Sequence, residues 1–219
     1  VDAQFGTAQR AALESIRSCE MIVLSGGTGK VSSDTLQRVR QVASRVGMVV
    51  TSLEQATQAA ESGVDFLLAK GQEAGGVVGE LTTFILLQQL TANSRLPVYA
   101  WGGIGLNTAA ACRVAGAAGV VLDWQLALMN ESPLPPQVKA ELEEPSPPQT
   151  FTLPAPEGRE LRGFFAGTNR AHSELPSSLH TLSTSNAAEW KAEIARQLGN
   201  TEDASQLFCM SQDAALASA

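Results

Sequence analysis

The sequence is poor in cysteine and histidine, and both shortages narrow the chemistry that is open to it. Its three cysteines, Cys19, Cys112 and Cys209, are odd in number and scattered, and they fit neither a metal-ligand spacing nor a disulfide framework. Its two histidines, His172 and His180, lie in the last quarter of the chain, so the preceding part has no imidazole for proton transfer. We expect a reducing, cytoplasmic compartment and no metal site.

Positive charge and long apolar runs are also scarce. The formal net charge is −7 and the chain has no basic stretch, which argues against a nucleic-acid partner. Apolar residues make up 44% of the sequence, enough for a sizeable core. However, no apolar run approaches the roughly 20 residues of a membrane span, and no signal-peptide pattern opens the chain. We therefore expect a globular protein without a nucleic-acid or membrane partner.

Between residues 20 and 130, short apolar strands alternate with helices. Strands are predicted at 21–24, 48–51, 66–69, 97–100 and 119–122, with helices at about 33–46, 52–62, 82–91, 108–114 and 124–129. We expect Ser33 or Asp34 to cap the first of these helices and Gly47 to end it. We expect Ser52 to cap the second helix and Gly63 to end it. Strands that are apolar throughout are typical of a parallel α/β sheet covered on both faces. An eight-stranded barrel and an open, doubly wound sheet both satisfy this pattern.

The alternation stops at Pro133. Eight of the ten prolines lie between residues 133 and 156, in a stretch that also carries an acidic run, which favours a linker. Beyond it, a strand is predicted at 161–165 and a helix at 186–198, capped by Asn186. The expected division is a barrel-like domain at 1–132, a Pro-rich linker at 133–158 and a small satellite region at 159–219.

Two glycine pairs follow predicted strands, and they form the candidate site. The strand at 66–69 leads into Lys70 and Gly71 and then into Gly75-Gly76, while the strand at 97–100 leads into Gly102-Gly103. Glycines at these places allow a close approach to the main chain, whose N–H groups can point at one anion. An ordinary tight loop between strand and helix explains the first glycine pair equally well.

Three side chains that follow strands have two interpretations each. Lys70 either meets a phosphate or carboxylate, or is a solvated lysine. Trp101 and Trp124 either stack on a flat ligand or belong to the core, and the core interpretation is slightly favoured. Ser25 and Thr51 also end strands, but no base pairs with them as a nucleophile would require, and no catalytic residue is assigned.

Three motifs resemble the nitronate monooxygenase (2-nitropropane dioxygenase-like) family: AKGQEAGG at 69–76, WGGIG at 101–105 and GAAGVVLD at 116–123. The longer stretches KGQEAGGVVGELTTFILLQQL and LDWQLALMNESPLP, and the tail SQDAALAS, resemble the version embedded in polyketide synthase and polyunsaturated fatty-acid synthase-like proteins. The likeness covers roughly residues 20–132. It implies an α/β fold that is a partial TIM (β/α)8 barrel, about the last five βα units, with a small C-terminal appendage.

The resemblance also implies a cofactor, FMN, whose phosphate would meet the main chain at the two glycine loops. The implied cofactor-binding residues are Lys70, Gly71, Gly75, Gly76, Gly102 and Gly103. Two departures weaken this expectation. Val77 stands where the family has its proton-abstracting histidine, and Asp123 stands where the family has a glycine beside the phosphate. A carboxylate there repels a phosphate of about −2 charge unless a cation such as Lys70 compensates.

These residues lead to three expectations about function. The first is a degenerate FMN-binding barrel domain of a multidomain synthase, in an enoyl-reductase-like role on a small-molecule or acyl substrate. The second is a catalytically inactive structural or docking domain, and the third is a genuine nitronate monooxygenase. Expected partners are the missing N-terminal half of the barrel and the other synthase domains of the parent chain. Open sheet edges predict that the piece alone is marginally stable or oligomeric.

Overall fold

The computed structural model describes residues 13–144, 149–165, 186–199 and 207–217. Its strands, in chain order, are β1 (Cys19–Leu24), β2 (Ala43–Val50), β3 (Phe66–Lys70), β4 (Gly76–Val78), β5 (Val98–Trp101), β6 (Gly119–Val121), β7 (Phe151–Ala155), β8 (Arg159–Phe165) and β9 (Leu207–Phe208). Its α-helices are α1 (Ser33–Arg40), α2 (Leu53–Ser62), α3 (Thr83–Asn93), α4 (Leu106–Val114), α5 (Pro136–Glu143) and α6 (Ala187–Gly199). His172 and His180 lie outside the described residues.

Contacts within the chain group it into two compact units. The first consists of Val1–Lys70, Leu81–Trp101 and Ala109–Val121, and the second of Gly71–Glu80, Gly102–Thr108 and Leu122–Ala219. Among the described residues, no helix is long and apolar enough to cross a membrane.

The first unit contains a five-stranded parallel sheet in the order β1-β2-β3-β5-β6. Within this sheet each strand lies beside the next along the chain, and the order never reverses. A doubly wound sheet reverses its strand order at a switch point, whereas a barrel does not. The observed order therefore excludes the doubly wound alternative and agrees with part of a TIM barrel.

The two faces of this sheet differ in how well they are covered. Leu67 and Ala69 of β3 are fully buried on one face, and α1, α2 and α3 all pack against the sheet. The opposite face carries an apolar cluster built on Val49, Phe66 and Leu68. On β1 the same face carries Met21 and Val23, which are 38% and 41% exposed. Parallel sheets normally have both faces buried. The exposure of Met21 and Val23 shows that this apolar face is only partly covered.

Gly47 does not end a helix, which corrects the sequence interpretation. Helix α1 ends at Arg40, and Gly47 lies within β2, where a Cβ would collide with the ring of Phe66. Val46, Met48 and Val50 are all buried at alternate positions of the strand. Because Val42 and Val46 also fit a helical period, the sequence pattern extended the helix into the strand.

Two helix ends in the first unit follow the local capping rules. Ser52 caps α2, with its Oγ accepting from the N–H of Gln55 at 3.2 Å, and Gly63 ends that helix with φ of +91°. Both were predicted from the sequence. Helix α1 is capped by Ser32 rather than by Ser33 or Asp34, a shift of one or two residues.

The second unit contains an antiparallel sheet in the order β4-β8-β7, and β9 pairs with β8. The stretch interpreted as a Pro-rich linker includes α5 and β7, two elements that the sequence pattern missed. Val138 and Leu142 of α5 are buried, and Pro135 precedes the helix in an extended conformation. Asn186 caps α6 as predicted, since its Oδ1 accepts from the N–H groups of Ala188 and Glu189 at 3.1 Å.

Candidate functional site

Both glycine loops belong to the second unit, and they lie side by side. We call Gly71–Glu80 the first glycine loop and Gly102–Thr108 the second. A Cβ built on Gly103 would lie 3.6 Å from Cγ of Glu73, so the two loops are in contact. Gly76, Gly102 and Gly103 have φ of +78°, +110° and +66°, in the left-handed region that favours glycine. The loops that carry the two glycine pairs therefore lie against each other at Glu73 and Gly103.

A C-terminal segment, residues 207–217, packs directly on both loops. A Cβ at Gly75 would collide with the carbonyl oxygen of Cys209, and the N–H of Gln212 donates to the carbonyl of Glu73 at 2.8 Å. The same Cys209 carbonyl accepts from the indole Nε1 of Trp124 at 3.0 Å. The close approach that requires glycine at position 75 is thus made by the chain's own backbone.

The second glycine loop directs its main-chain donors at a carboxylate. Asp213 is 3% exposed, and its Oδ2 accepts from the N–H of Ile104 at 3.1 Å and from Nε2 of Gln125 at 2.7 Å. The N–H of Gly103 and the hydroxyl of Ser211 also donate to this carboxylate. Four donors from three parts of the sequence therefore meet at one buried carboxylate.

Asp213 has a second carboxylate close by. Ser211 Oγ lies 3.4 Å from Oδ1 of Asp123, so this hydroxyl lies between the two acidic side chains. Burial raises the pKa of Asp213 above its ordinary value, and the charge of Asp123 adds to that effect. Hydrogen bonds from Ser211, Ile104 and Gly103 act in the opposite direction without cancelling it.

This arrangement does not fit the phosphate of FMN. The main-chain donors that would hold a phosphate already donate to Asp213, and Asp123 adds further negative charge beside them. A phosphate monoester carries about −1.5 to −2 charges at neutral pH, and placing it beside two carboxylates is unfavourable. The glycine pattern that suggests a phosphate site is occupied by side-chain and main-chain atoms of this protein.

Lys70 belongs to the first unit and is not a solvated lysine. Its side chain is 8% exposed, and its Nζ lies 4.7 Å from the ring centroid of Trp101, its neighbour across β3 and β5. That distance is within the range of a cation–π interaction. Trp124 packs edge-on against Phe208 at 6.5 Å, which supports its assignment to the core. Gly71 follows Lys70 directly, at the start of the first glycine loop.

Val77 lies on β4, where it pairs with Leu161 of β8. Its half-buried side chain packs against a cluster that includes Leu153, Trp190 and Ile194. Val77 therefore lies in a hydrophobic environment, and its own side chain cannot accept a proton.

Sequence reasoning missed three side chains of this site: Gln125, Ser211 and Asp213. The SQD triplet at 211–213 was noted only as part of a resembling tail. Ile104, whose N–H donates to Asp213, is 109 positions away from it in the sequence, so no local pattern connects the two residues.

Comparison with known proteins identifies the family. A family model described as nitronate monooxygenase matches residues 2–217. The chain belongs to the nitronate monooxygenase family. The match extends well past residue 132 and includes most of the stretches interpreted as linker and satellite region.

Individual relatives are similar to parts of this chain. Nitronate monooxygenase of Paraburkholderia phytofirmans is 36% identical over 100 residues, covering 41% of this chain and 27% of that protein. The (3aS,4S,5R,7aS)-5-hydroxy-7a-methyl-1-oxo-octahydro-1H-indene-4-carboxyl-CoA dehydrogenase of Rhodococcus jostii is 35% identical over 94 residues, 42% of this chain and 26% of that protein. The chain spans less than half the length of the curated relatives that it matches.

A solved structure, that of FabK from Thermotoga maritima, superposes with a TM-score of 0.70 at 23% identity, over 91% of this chain and 62% of that one. At this level of identity the likeness shows the shared fold alone. It extends over both described units of the chain.

Proposed function

We propose that this chain is a degenerate nitronate monooxygenase-type domain that does not oxidise nitronates and serves a structural role within a larger multidomain protein. The observation that carries this proposal is Val77. The resemblance places the family's base at this position, and proton transfer needs a titratable group within hydrogen-bond reach of the substrate. A valine packed against Leu161 and Trp190 offers none.

The partly exposed apolar face of the parallel sheet supports a role within a larger assembly. Strands β1 and β6 end the described sheet, and Met21 and Val23 on β1 are left partly exposed. A barrel of eight strands would bury this face and both edges. We propose that the missing strands come from the rest of a parent polypeptide. The resemblance of the two longer motifs and the tail favours a polyketide or polyunsaturated fatty-acid synthase as that parent.

A second candidate function is a flavin-dependent dehydrogenase or reductase that acts on an acyl thioester. The similarity to the Rhodococcus jostii carboxyl-CoA dehydrogenase favours it. Such an enzyme needs no histidine at position 77, because its cofactor supplies the redox chemistry. This candidate requires FMN at the two glycine loops, where Asp213 and Cys209 now lie, and for this reason we place it second.

One titration separates the candidates. The protein is mixed with FMN up to high micromolar concentration, flavin fluorescence is followed, and turnover of an alkyl nitronate and of an enoyl-CoA is measured in parallel. The structural role predicts neither saturable quenching nor turnover. Saturable binding of FMN with consumption of the thioester alone would establish the second candidate. Turnover of the nitronate by the protein with Val77 would overturn both.

A further inference from the structure

We propose that the turn at Gly103 and Ile104 is an anion-binding site and that the carboxylate of Asp213 is its built-in ligand. This assignment deepens the proposed function, because it names what fills the position of a cofactor phosphate. The biological role of this built-in ligand rests on the proposed function, but the evidence for the ligand itself does not. The geometry that carries it involves the second glycine loop and the C-terminal segment, and does not involve Val77.

The donor set around Asp213 is that of an anion site. Oδ2 accepts from the main-chain N–H of Ile104 at 3.1 Å and from the amide of Gln125 at 2.7 Å, and Ser211 Oγ donates to Oδ1. With the N–H of Gly103, four donors share one carboxyl group, which offers about four lone-pair positions when it is ionised. Successive main-chain N–H groups in a turn form the concave surfaces that bind anions in many proteins.

The loop is held in a conformation that keeps these N–H groups available. Thr108 Oγ1 accepts from the N–H of Gly105 at 2.6 Å and donates to the carbonyl of Gly103 at 2.9 Å. Gln125 is also fixed, because its Nε2 donates to the carbonyl of Ile104 at 2.8 Å as well as to Asp213. Helix α4 begins just after the turn, and a helix N-terminus favours negative charge. The site is therefore preorganised around the carboxylate.

Asp213 is delivered to the site by a segment that is anchored elsewhere. The N–H of Gln212 donates to the carbonyl of Glu73, and the carbonyl of Cys209 accepts from Trp124. An intramolecular ligand held in this way acts at a high effective concentration. An external phosphate would have to displace a fixed, fully hydrogen-bonded carboxylate and approach Asp123 as well. We infer that the second glycine loop stays closed to cofactor phosphates as long as Asp213 is present.

Removing the carboxylate should turn the loop into a site for a small external anion. Asp213→Ala leaves four donors around a space the size of formate. We expect this variant to be destabilised in chloride and to recover in formate at the same ionic strength. A tenfold excess of formate over its dissociation constant should raise the melting temperature by about 3–6 °C. Wild type and Asp213→Asn, whose sites remain filled, should not respond, and neither should Asp34→Ala, which removes an exposed carboxylate.

A second measurement does not depend on the stability of Asp213→Ala. In wild type and Asp213→Asn, the amide proton resonances of Gly103 and Ile104 report their acceptor directly. Replacing a charged acceptor with a neutral one should move both resonances upfield, because hydrogen bonds to ionised acceptors are stronger. Unmoved amides, or a formate response in wild type as large as in Asp213→Ala, would overturn the assignment.

Neither readout involves flavin or nitronate. Failure of the built-in ligand can therefore be distinguished from failure of the proposed function. If Asp213→Ala responds to formate and the wild type turns over nitronate, the built-in ligand is supported and the proposed function is refuted.

Discussion

The contact between Gly75 and the carbonyl oxygen of Cys209 makes Gly75→Ala a direct test of how the C-terminal segment is held. Gly75 lies outside the left-handed φ region, so alanine is sterically allowed by the backbone, and loss of glycine flexibility in the unfolded chain would stabilise by about 0.4–1 kcal/mol. The added methyl, however, collides with a main-chain atom that cannot rotate away. Overpacking of this kind costs about 1–3 kcal/mol.

The net expectation for Gly75→Ala is a loss of about 1–2 kcal/mol in the free energy of unfolding. The segment can relieve the collision only by moving, and this movement would lengthen or break the hydrogen bond from the N–H of Gln212 to the carbonyl of Glu73. Limited proteolysis should therefore cleave residues 207–217 faster in the variant than in wild type. Urea denaturation gives the stability, and mass spectrometry of the digest gives the site of cleavage.

Gly158→Ala is the matched control for that experiment. Gly158 has φ of +68° and no atom within 4 Å of an added Cβ, so alanine adds backbone strain without a collision. We expect it to lower stability while leaving the proteolysis of residues 207–217 unchanged. Equal protection of that segment in Gly75→Ala and wild type would refute the packing described here.

Two further variants and a pH series test other parts of the structure. Val77→His should cost about 1–3 kcal/mol, because it places a polar ring in an apolar cluster, and should give no nitronate turnover; a stable, active variant would contradict this. The pKa of Asp213 is higher in the folded protein than its ordinary value of 3.8. The contribution of this carboxyl group to stability is therefore fully present below about pH 3.8 and is lost as the pH rises through its pKa in the folded protein. Urea midpoints should therefore show wild type losing stability relative to Asp213→Asn from about pH 4 upward, and the opposite trend would contradict a raised pKa for Asp213. Replacing both Met21 and Val23 with lysine should reduce the self-association that analytical ultracentrifugation measures. Unchanged self-association would show that the apolar face of the parallel sheet is not where two copies meet.

Local rules account for the parts of the fold that the sequence predicted well. Ser52, Gly63 and Asn186 act within four residues of themselves, so their capping roles are visible in a short stretch of sequence. The strand–helix alternation is a similarly local pattern. By contrast, β4 has only three residues, and its partner β8 lies more than 80 positions away. Nothing in the sequence near Val77 indicates that pairing.

The sequence pattern assigned the candidate site to the two glycine loops and missed three side chains that meet there, Gln125, Ser211 and Asp213. Both glycine pairs follow neighbouring parallel strands, and the carboxyl ends of such strands share one edge of a sheet. That reasoning requires only the order of the elements. The assignment of Asp213 requires a contact between position 104 and position 213, which depends on how the final segment packs. The glycines were interpreted as room for a ligand, whereas the C-terminal segment uses the room at Gly75.

The most direct test is a side-by-side FMN titration of wild type and Asp213→Ser, followed by quenching of flavin fluorescence. Removing the carboxylate frees the N–H groups of Gly103 and Ile104, so the variant should bind FMN more tightly than wild type, which should show no saturable quenching. Stoichiometric FMN binding by wild type, with no gain in the variant, would contradict the conclusion that Asp213 takes the place of the phosphate.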